Sequence, residues 1–268
     1  MTTPPAPDPE TDPETDTETA LHRFHALLTQ DDTARATDHH LRTRQHAMGL
    51  TFHGHPLRPR LISATDHARV RAEGATLALA LDHLASHALY PGEEGDLVRA
   101  HLALTPQEAA LAALVPPAGP LSPHSRLDGF RAGGRTAFIE CNAHSPAGIV
   151  TQDLLADAWK GTAVMEEFAR RYTVGPTPGR PRIADSLVSA WETGGAPGGA
   201  PHVAIVDWGS GFGWEFDALR ADLRGRGVPA LVCTPDDLRY TPGHGLYARD
   251  AAGRRHLGTV SRIMFGAR

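Results

Sequence analysis

The residues best suited to carry chemistry are Glu140 and Asn142, at the end of an apolar, strand-like run over 138–141. Side chains alternate across a strand, so both would project from one face. A carboxylate and a carboxamide at a strand end are oxygen ligands of the kind that Mg²⁺ uses together with substrate phosphates. An edge-strand acid followed by a turn-forming asparagine is the competing interpretation, and the spacing alone favours it.

A second strand-like run, 125–130, precedes the first, and two consecutive glycines lie between them. This pattern predicts a β-hairpin. A three-residue loop over 132–134 would place Arg126 opposite Glu140, where its guanidinium could hold an anionic substrate beside the metal. A two-residue loop would instead place Arg126 on the side of Cys141. Of these two registers, the first is our prediction.

The order of these residues resembles the circularly permuted ATP-grasp enzymes, which include eukaryotic-type glutathione synthetase and glutathionylspermidine synthase. The shared pattern is Arg126-x-Asp128, a short turn, then an apolar residue followed by Glu140-x-Asn142 and a turn of small residues. The resemblance implies that Glu140 and Asn142 hold Mg²⁺ and ATP. It also implies that Arg126 is catalytic and binds substrate, that Asp128 supports substrate binding, and that Ser145 contacts substrate.

The function that the resemblance implies is the substrate- and Mg²⁺-binding portion of an ATP-dependent carboxylate–amine ligase, acting on a small carboxylate and an amine. Such enzymes usually hold phosphates with lysines, whereas this chain has a single lysine, Lys160. It also ends in an apolar, strand-like run over 261–268. We therefore expect the nucleotide-binding half to be missing and the chain alone to be incomplete as a catalyst. The alternatives are a non-catalytic small-molecule-binding module and a subunit of a two-chain ligase, whose partner chain supplies that half.

The C-terminal part of the sequence predicts a βαβ unit. An apolar run over 202–207 is followed by a helical pattern over 215–226 and by a second apolar run that ends at Cys233. In the resembled family, a segment in this place is a small substrate domain. The glycine-rich turn over 209–213 leaves three interpretations open: a plain turn, contact with an anionic substrate at the helix N-terminus, and dinucleotide binding.

We therefore predict an α/β fold with a helical N-terminal region, a β-hairpin and a small C-terminal βαβ unit. Helical patterns cover 21–48, weakening near Asp31, and 65–89. Composition predicts the tail and the linker, and the motifs with the resemblance predict the other two of four segments. The four are a disordered acidic tail (1–19), a helical region with the metal and substrate hairpin (20–193), a Gly/Pro linker (194–201) and a truncated α/β subdomain (202–268).

Charge and hydropathy exclude several partners. Removing the six acids of the tail from the net charge of −5 leaves the rest of the chain near +1, which provides no basic field for nucleic acid. No apolar run reaches the length of a membrane span, and no secretory pattern opens the sequence, so we expect a cytoplasmic protein without a membrane partner.

Cysteine and histidine add little chemistry to this prediction. Cys141 and Cys233 fall in predicted strands and are expected to be buried thiols. His83 and His87 lie four residues apart on one helix face, but no third metal ligand follows at a recognisable spacing, so the sequence does not predict a zinc site.

Overall fold

The computed structural model describes residues 13–50, 55–114, 121–143, 146–193, 201–209, 211–243, 245–249 and 262–265. The chain is a mixed α/β protein, as predicted. Its helices are α1 (Pro13–Leu28), α2 (Thr33–Ala47), α3 (Ala64–His87), α4 (Glu93–Leu102), α5 (Pro106–Ala112), α6 (Ile149–Trp159), α7 (Ala163–Ala169), α8 (Arg180–Thr193) and α9 (Gly213–Gly225). Its strands are β1 (Arg126–Ala132), β2 (Arg135–Asn142), β3 (Val203–Val206), β4 (Ala230–Cys233), β5 (Leu238–Thr241), β6 (Gly245–Ala248) and β7 (Arg262–Phe265).

The chain forms two compact units, each built from segments that are separate in sequence. The first contains described residues of 1–73, 130–137 and 154–176, and the second those of 74–129, 138–153 and 177–268. The predicted linker over 194–201 has α8 before it and β3 after it. Both elements belong to the second unit, where Asp185 of α8 and Arg226 form an ion pair at 2.6 Å. That predicted boundary therefore falls inside one unit.

The core of the first unit is a cluster of aromatic and aliphatic side chains contributed by α1, α2, α6 and α7. Phe24 is its centre and is fully buried. Its ring meets Trp159 at 6.0 Å and Phe168 at 5.3 Å between centroids, both edge-to-face, the arrangement that aromatic quadrupoles favour. Leu41 of α2 is buried in the same cluster. Burial of this amphipathic face stabilises helices that would be marginal in isolation.

Helix α1 corrects the predicted extent of the disordered tail. Residues 13–19 are helical, whereas 1–12 lie outside the described residues. Pro13 stands at the first helical position, which tolerates proline because its missing N–H has no helical partner there. The segment then runs into Ala20 and Phe24, both buried in the core. Tertiary packing one turn further along thus overrides the polar composition of this segment.

The hairpin loop has two residues, so the predicted three-residue loop and its register were wrong. Gly133 and Gly134 alone separate β1 from β2, with φ angles of 54° and 70°. Positive φ at both central positions is the type I′ geometry, whose twist matches that of paired strands. In a two-residue hairpin of these bounds, Arg126 lies opposite Cys141 rather than opposite Glu140.

The second unit contains a three-stranded parallel sheet in the order β4-β3-β7. Helix α9 connects β3 to β4 and buries Phe216, Leu219 and Leu223, the apolar stripe that the sequence predicts. β3 is buried along its whole length, as expected for the central strand of a parallel sheet. The antiparallel pair β5–β6 contributes Ala248 to a core cluster that also contains Ala204 and Val206 of β3.

None of the helices in the described ranges combines the length and the apolar composition that crossing a bilayer requires. Cys141 and Cys233 are both free thiols, as predicted. Cys233 is buried and packs in the core beside Val206, whereas Cys141 is only partly buried.

Candidate functional site

Arg126 opens β1 and is held by two neighbours. Its Nε and Nη2 atoms donate to the two carboxylate oxygens of Asp128, at 2.9 and 3.1 Å, and Nη1 donates to the carbonyl of Ala147. Residues two apart on a strand share a face, so the local sequence alone accounts for the bidentate pair. The hydrogen bond raises the pKa of Arg126 and lowers that of Asp128. The predicted substrate residues are therefore brought together.

Glu140 and Asn142 share the other face of the hairpin. A Cβ added to Gly74 of α3 would lie 3.4 Å from the Leu127 side chain and 3.7 Å from that of Phe138, so these two apolar residues face α3. By alternation, Glu140 and Asn142 follow Phe138 on that side. The predicted metal ligands thus lie on one face, as expected.

Arg126 projects from the face opposite to the predicted metal ligands. Glu140 is exposed. Its charge contributes to the raised pKa of Arg126, but less than the hydrogen bond that Arg126 donates to Asp128 and the ion pair between them. The two residues are near enough to interact electrostatically, yet they do not form the direct cross-strand pair that the sequence predicts. The two-residue loop is the physical reason.

Asn142 carries a buried side-chain donor with no partner among the described residues. Its Nδ2 atom is shielded from solvent and has no hydrogen-bond acceptor among the described residues. Leaving such a donor unpaired costs about 1–3 kcal/mol, so native structures rarely retain one without a function or a missing partner. Ser145, the other predicted substrate residue, lies outside the described residues, as does His144.

The metal prediction therefore depends on two ligands. Within the described ranges, no three or more His, Cys, Asp and Glu side chains converge as a metal centre. Glu140 and Asn142 together offer one carboxylate and one amide oxygen. This number suits a Mg²⁺ ion that takes its remaining ligands from water and phosphate.

The turn after the hairpin is fixed by a residue that sequence reasoning missed, Glu215 of α9. Its carboxylate accepts hydrogen bonds from the backbone N–H groups of Gly148, at 3.0 Å, and of Thr151, at 2.6 Å. These groups belong to the N-terminus of α6, where N–H groups lack helical partners and negative charge is favourable. Trp214 adds a 3.0 Å hydrogen bond to the Thr151 hydroxyl. Because Glu215 occupies this helix end, α6 does not offer it to a substrate phosphate.

A second carboxylate repeats this arrangement one helix further on. Asp153 of α6 is buried and accepts from the N–H groups of Gly179, at 2.8 Å, and Arg180, at 2.8 Å, at the start of α8. A Cβ added to Gly179 would collide with the Ile149 side chain, so this position requires glycine. Acidic side chains thus link α9 to α6 and α6 to α8.

Backbone conformation accounts for two of the glycines in the turn over 209–213. Gly209 and Gly211 both have φ of 85°, and the Gly209 N–H donates to the Asp207 carboxylate at 2.9 Å. A Cβ at either glycine would meet nothing within 4 Å. The glycines therefore provide left-handed backbone rather than close packing. Trp208 is half-exposed beside them.

Comparison of the chain with protein-family models and with curated proteins gives no match. The candidate site therefore depends on the chemistry of Arg126, Asp128, Glu140 and Asn142 and on the pattern in which they occur.

Proposed function

We propose that this chain supplies the substrate- and Mg²⁺-binding part of an ATP-dependent carboxylate–amine ligase of the circularly permuted ATP-grasp type. The observation that carries the proposal is the buried Nδ2 donor of Asn142, which has no acceptor among the described residues and lies beside Glu140 on one face of the hairpin. A cytoplasmic location, where ATP and Mg²⁺ are abundant, is part of the same proposal.

In this proposal the two polar groups of Asn142 have different roles. Nδ2 donates to an oxygen of the bound nucleotide or acyl-phosphate, which removes the cost of the orphan donor. Oδ1 and the carboxylate of Glu140 are the atoms that would hold Mg²⁺. The ion would neutralise phosphate charge as the substrate carboxylate is activated and then captured by an amine.

Arg126 lies on the opposite face of the hairpin from Glu140 and Asn142, so in this proposal it would bind an anionic group of the substrate other than the one that is activated. A guanidinium has five N–H donors, and three of them are used by Asp128 and Ala147 among the described residues. The remaining two have no acceptor in the part of the chain that the structure describes, and they could donate to a carboxylate. Asp128 orients the guanidinium and keeps its plane fixed, which reduces the entropy lost when substrate binds.

The chain offers a direct test, because Asn142 is its only asparagine. Selective ¹⁵N labelling of asparagine side chains gives one NH₂ signal pair, which reports on Nδ2 alone. We expect MgATP to shift this pair and Mg²⁺ alone to shift it less, because Nδ2 donates to a phosphate oxygen. Glu140→Gln should abolish the Mg²⁺-dependent part of ATP binding measured by calorimetry, and Glu192→Gln on the exposed surface of α8 is the matched control.

Each result distinguishes the proposal from its alternatives. If the Asn142 signal does not shift with MgATP but shifts with small carboxylates, a non-catalytic binding module is favoured. A response to MgATP only after a partner chain is added would favour a subunit of a two-chain ligase. No response to either, with Glu140→Gln binding ATP like the wild type, would overturn the assignment.

A further inference from the structure

Two histidines of α3 bring their ring nitrogens together. His83 and His87 lie one helical turn apart, so they share a face. Their Nε2 atoms are 3.3 Å apart, and their rings stand nearly perpendicular, at 87°, with centroids separated by 4.8 Å. The ring of His83 is exposed, and the side chain of His87 is 34% exposed. An ion from solvent can therefore reach both nitrogens.

A carboxylate orients the second imidazole. Glu94 of α4 places an oxygen 3.0 Å from Nδ1 of His87. A carboxylate only accepts hydrogen bonds, so in the neutral imidazole this contact favours the tautomer with its proton on Nδ1 and its lone pair on Nε2. This carboxylate–imidazole pair is the usual support for a histidine that binds a metal through its other nitrogen.

We propose that His83 and His87 form a two-imidazole chelate for a divalent transition-metal ion such as Zn²⁺, with Glu94 as the positioning residue. Metal–nitrogen bonds of about 2.0–2.1 Å at the tetrahedral angle separate two ligand nitrogens by about 3.3 Å. The observed Nε2–Nε2 distance equals this value without any movement of the helix. Water fills the other coordination positions, since the described residues supply no cluster of three or more ligands.

Metal binding requires one change of tautomer. With the proton of His87 on Nδ1, the short Nε2–Nε2 contact is a hydrogen bond that His83 donates. On binding the ion, His83 moves this proton to its own Nδ1 and presents a lone pair from Nε2. In the metal-bound form each ring would bind the ion through Nε2 as a neutral imidazole, with its proton on Nδ1.

The test is a Zn²⁺ titration of the full, untagged chain, followed by calorimetry and by long-range ¹H–¹⁵N spectra of the imidazoles. The chain has sixteen histidines, so Zn²⁺ binding is assigned to this pair by comparing variants with the wild type. We expect the Nε2 resonances of His83 and His87 to shift first. His83→Gln should remove the tightest site, and Glu94→Gln should weaken it by roughly 10–100-fold. His101→Gln, which changes an exposed histidine of α4, is the control and should leave the site unchanged.

Two results would overturn the proposal. One is a tightest site of equal affinity in His83→Gln and the wild type. The other is a first Zn²⁺ equivalent that shifts imidazoles other than these two. Circular dichroism of each variant establishes that the helices are intact, which an exposed substitution should not affect.

Discussion

Arg126 and Glu215 hold opposite ends of a single peptide group. Arg126 donates to the carbonyl of Ala147, and Glu215 accepts from the N–H of Gly148 at 3.0 Å. The carbonyl and the N–H belong to the same peptide bond, so each interaction polarises the group in favour of the other. A cation at the base of the hairpin and an anion on α9 therefore fix the turn that leads into α6.

This relationship predicts an energetic coupling between two residues that are far apart in sequence. Glu215→Gln should destabilise the fold by about 1–3 kcal/mol, because the neutral amide is a weaker acceptor at a helix N-terminus. In a double-mutant cycle with Arg126→Gln, the coupling energy should be about 0.5–1.5 kcal/mol, measured by urea unfolding. The exposed Arg182 is the control partner, and Arg182→Gln should be additive with Glu215→Gln. If the effects of Arg126→Gln and Glu215→Gln were additive, the shared peptide group would not couple the two residues.

The glycine before α8 provides a stability test with a matched control. Gly179→Ala places a methyl group against the Ile149 side chain and also near the Ile149 carbonyl, at 3.3 Å. We expect a loss of about 1–3 kcal/mol in the free energy of unfolding, as for overpacking elsewhere. Gly175→Ala, four residues earlier, meets nothing within 4 Å and should be neutral or slightly stabilising. Equal effects of the two changes would contradict the described packing.

The Arg126–Asp128 pair predicts a pH dependence of known sign. The hydrogen bond from Arg126 holds the pKa of Asp128 below its ordinary value of 3.8. Since the folded pKa is lowered, the pair contributes stability above the unfolded pKa, and this is lost as the pH falls through the folded value. Carboxyl NMR titration should show that Arg126→Gln raises the pKa of Asp128 towards 3.8. The pKa of Asp38, which Arg42 lowers, should not move. A wild-type Asp128 pKa at or above 3.8 would contradict the geometry.

The two cysteines should differ in reactivity towards thiol reagents. Burial, with a further contribution from Asp237, raises the pKa of the Cys233 thiol to about 11. At pH 8 only ~0.1% of this thiol is the reactive thiolate. Cys141 is partly exposed, so we expect it to react first and Cys233 to react slowly in the Cys141→Ser variant. Fast modification of Cys233 in the folded protein would mean that the strand end opens to solvent.

The elements that follow from local pattern could be predicted from the sequence. The helix predicted over 65–89 is observed as Ala64–His87, and β3, α9 and β4 form the predicted parallel unit. These predictions succeed because apolar spacing and β-propensity are local properties. Helix α8 was not predicted, because its short apolar stripe, Ile183 and Leu187, is masked by arginine and proline in its first turn.

The site was only partly predictable. The sequence places Arg126 with Asp128 and places Glu140 with Asn142, because both pairs follow from strand alternation. The hairpin register was wrong, since two adjacent glycines fit a loop of two or of three residues equally well. Glu215 was missed because its partners lie on another helix, and no local signal connects them. The one hint is an acid one turn before Leu219 on the buried face of α9.

The central position of β3 also bears on self-association during folding. β3 pairs with β4 soon after synthesis, but its other edge pairs with β7, which is the last strand of the described chain. Until β7 arrives, four consecutive apolar residues present unpaired backbone N–H and C=O groups, the feature through which separate chains add to each other's sheets. Pairing with β7 covers this edge of β3, so we expect a chain that ended before residue 262 to self-associate more readily through β3.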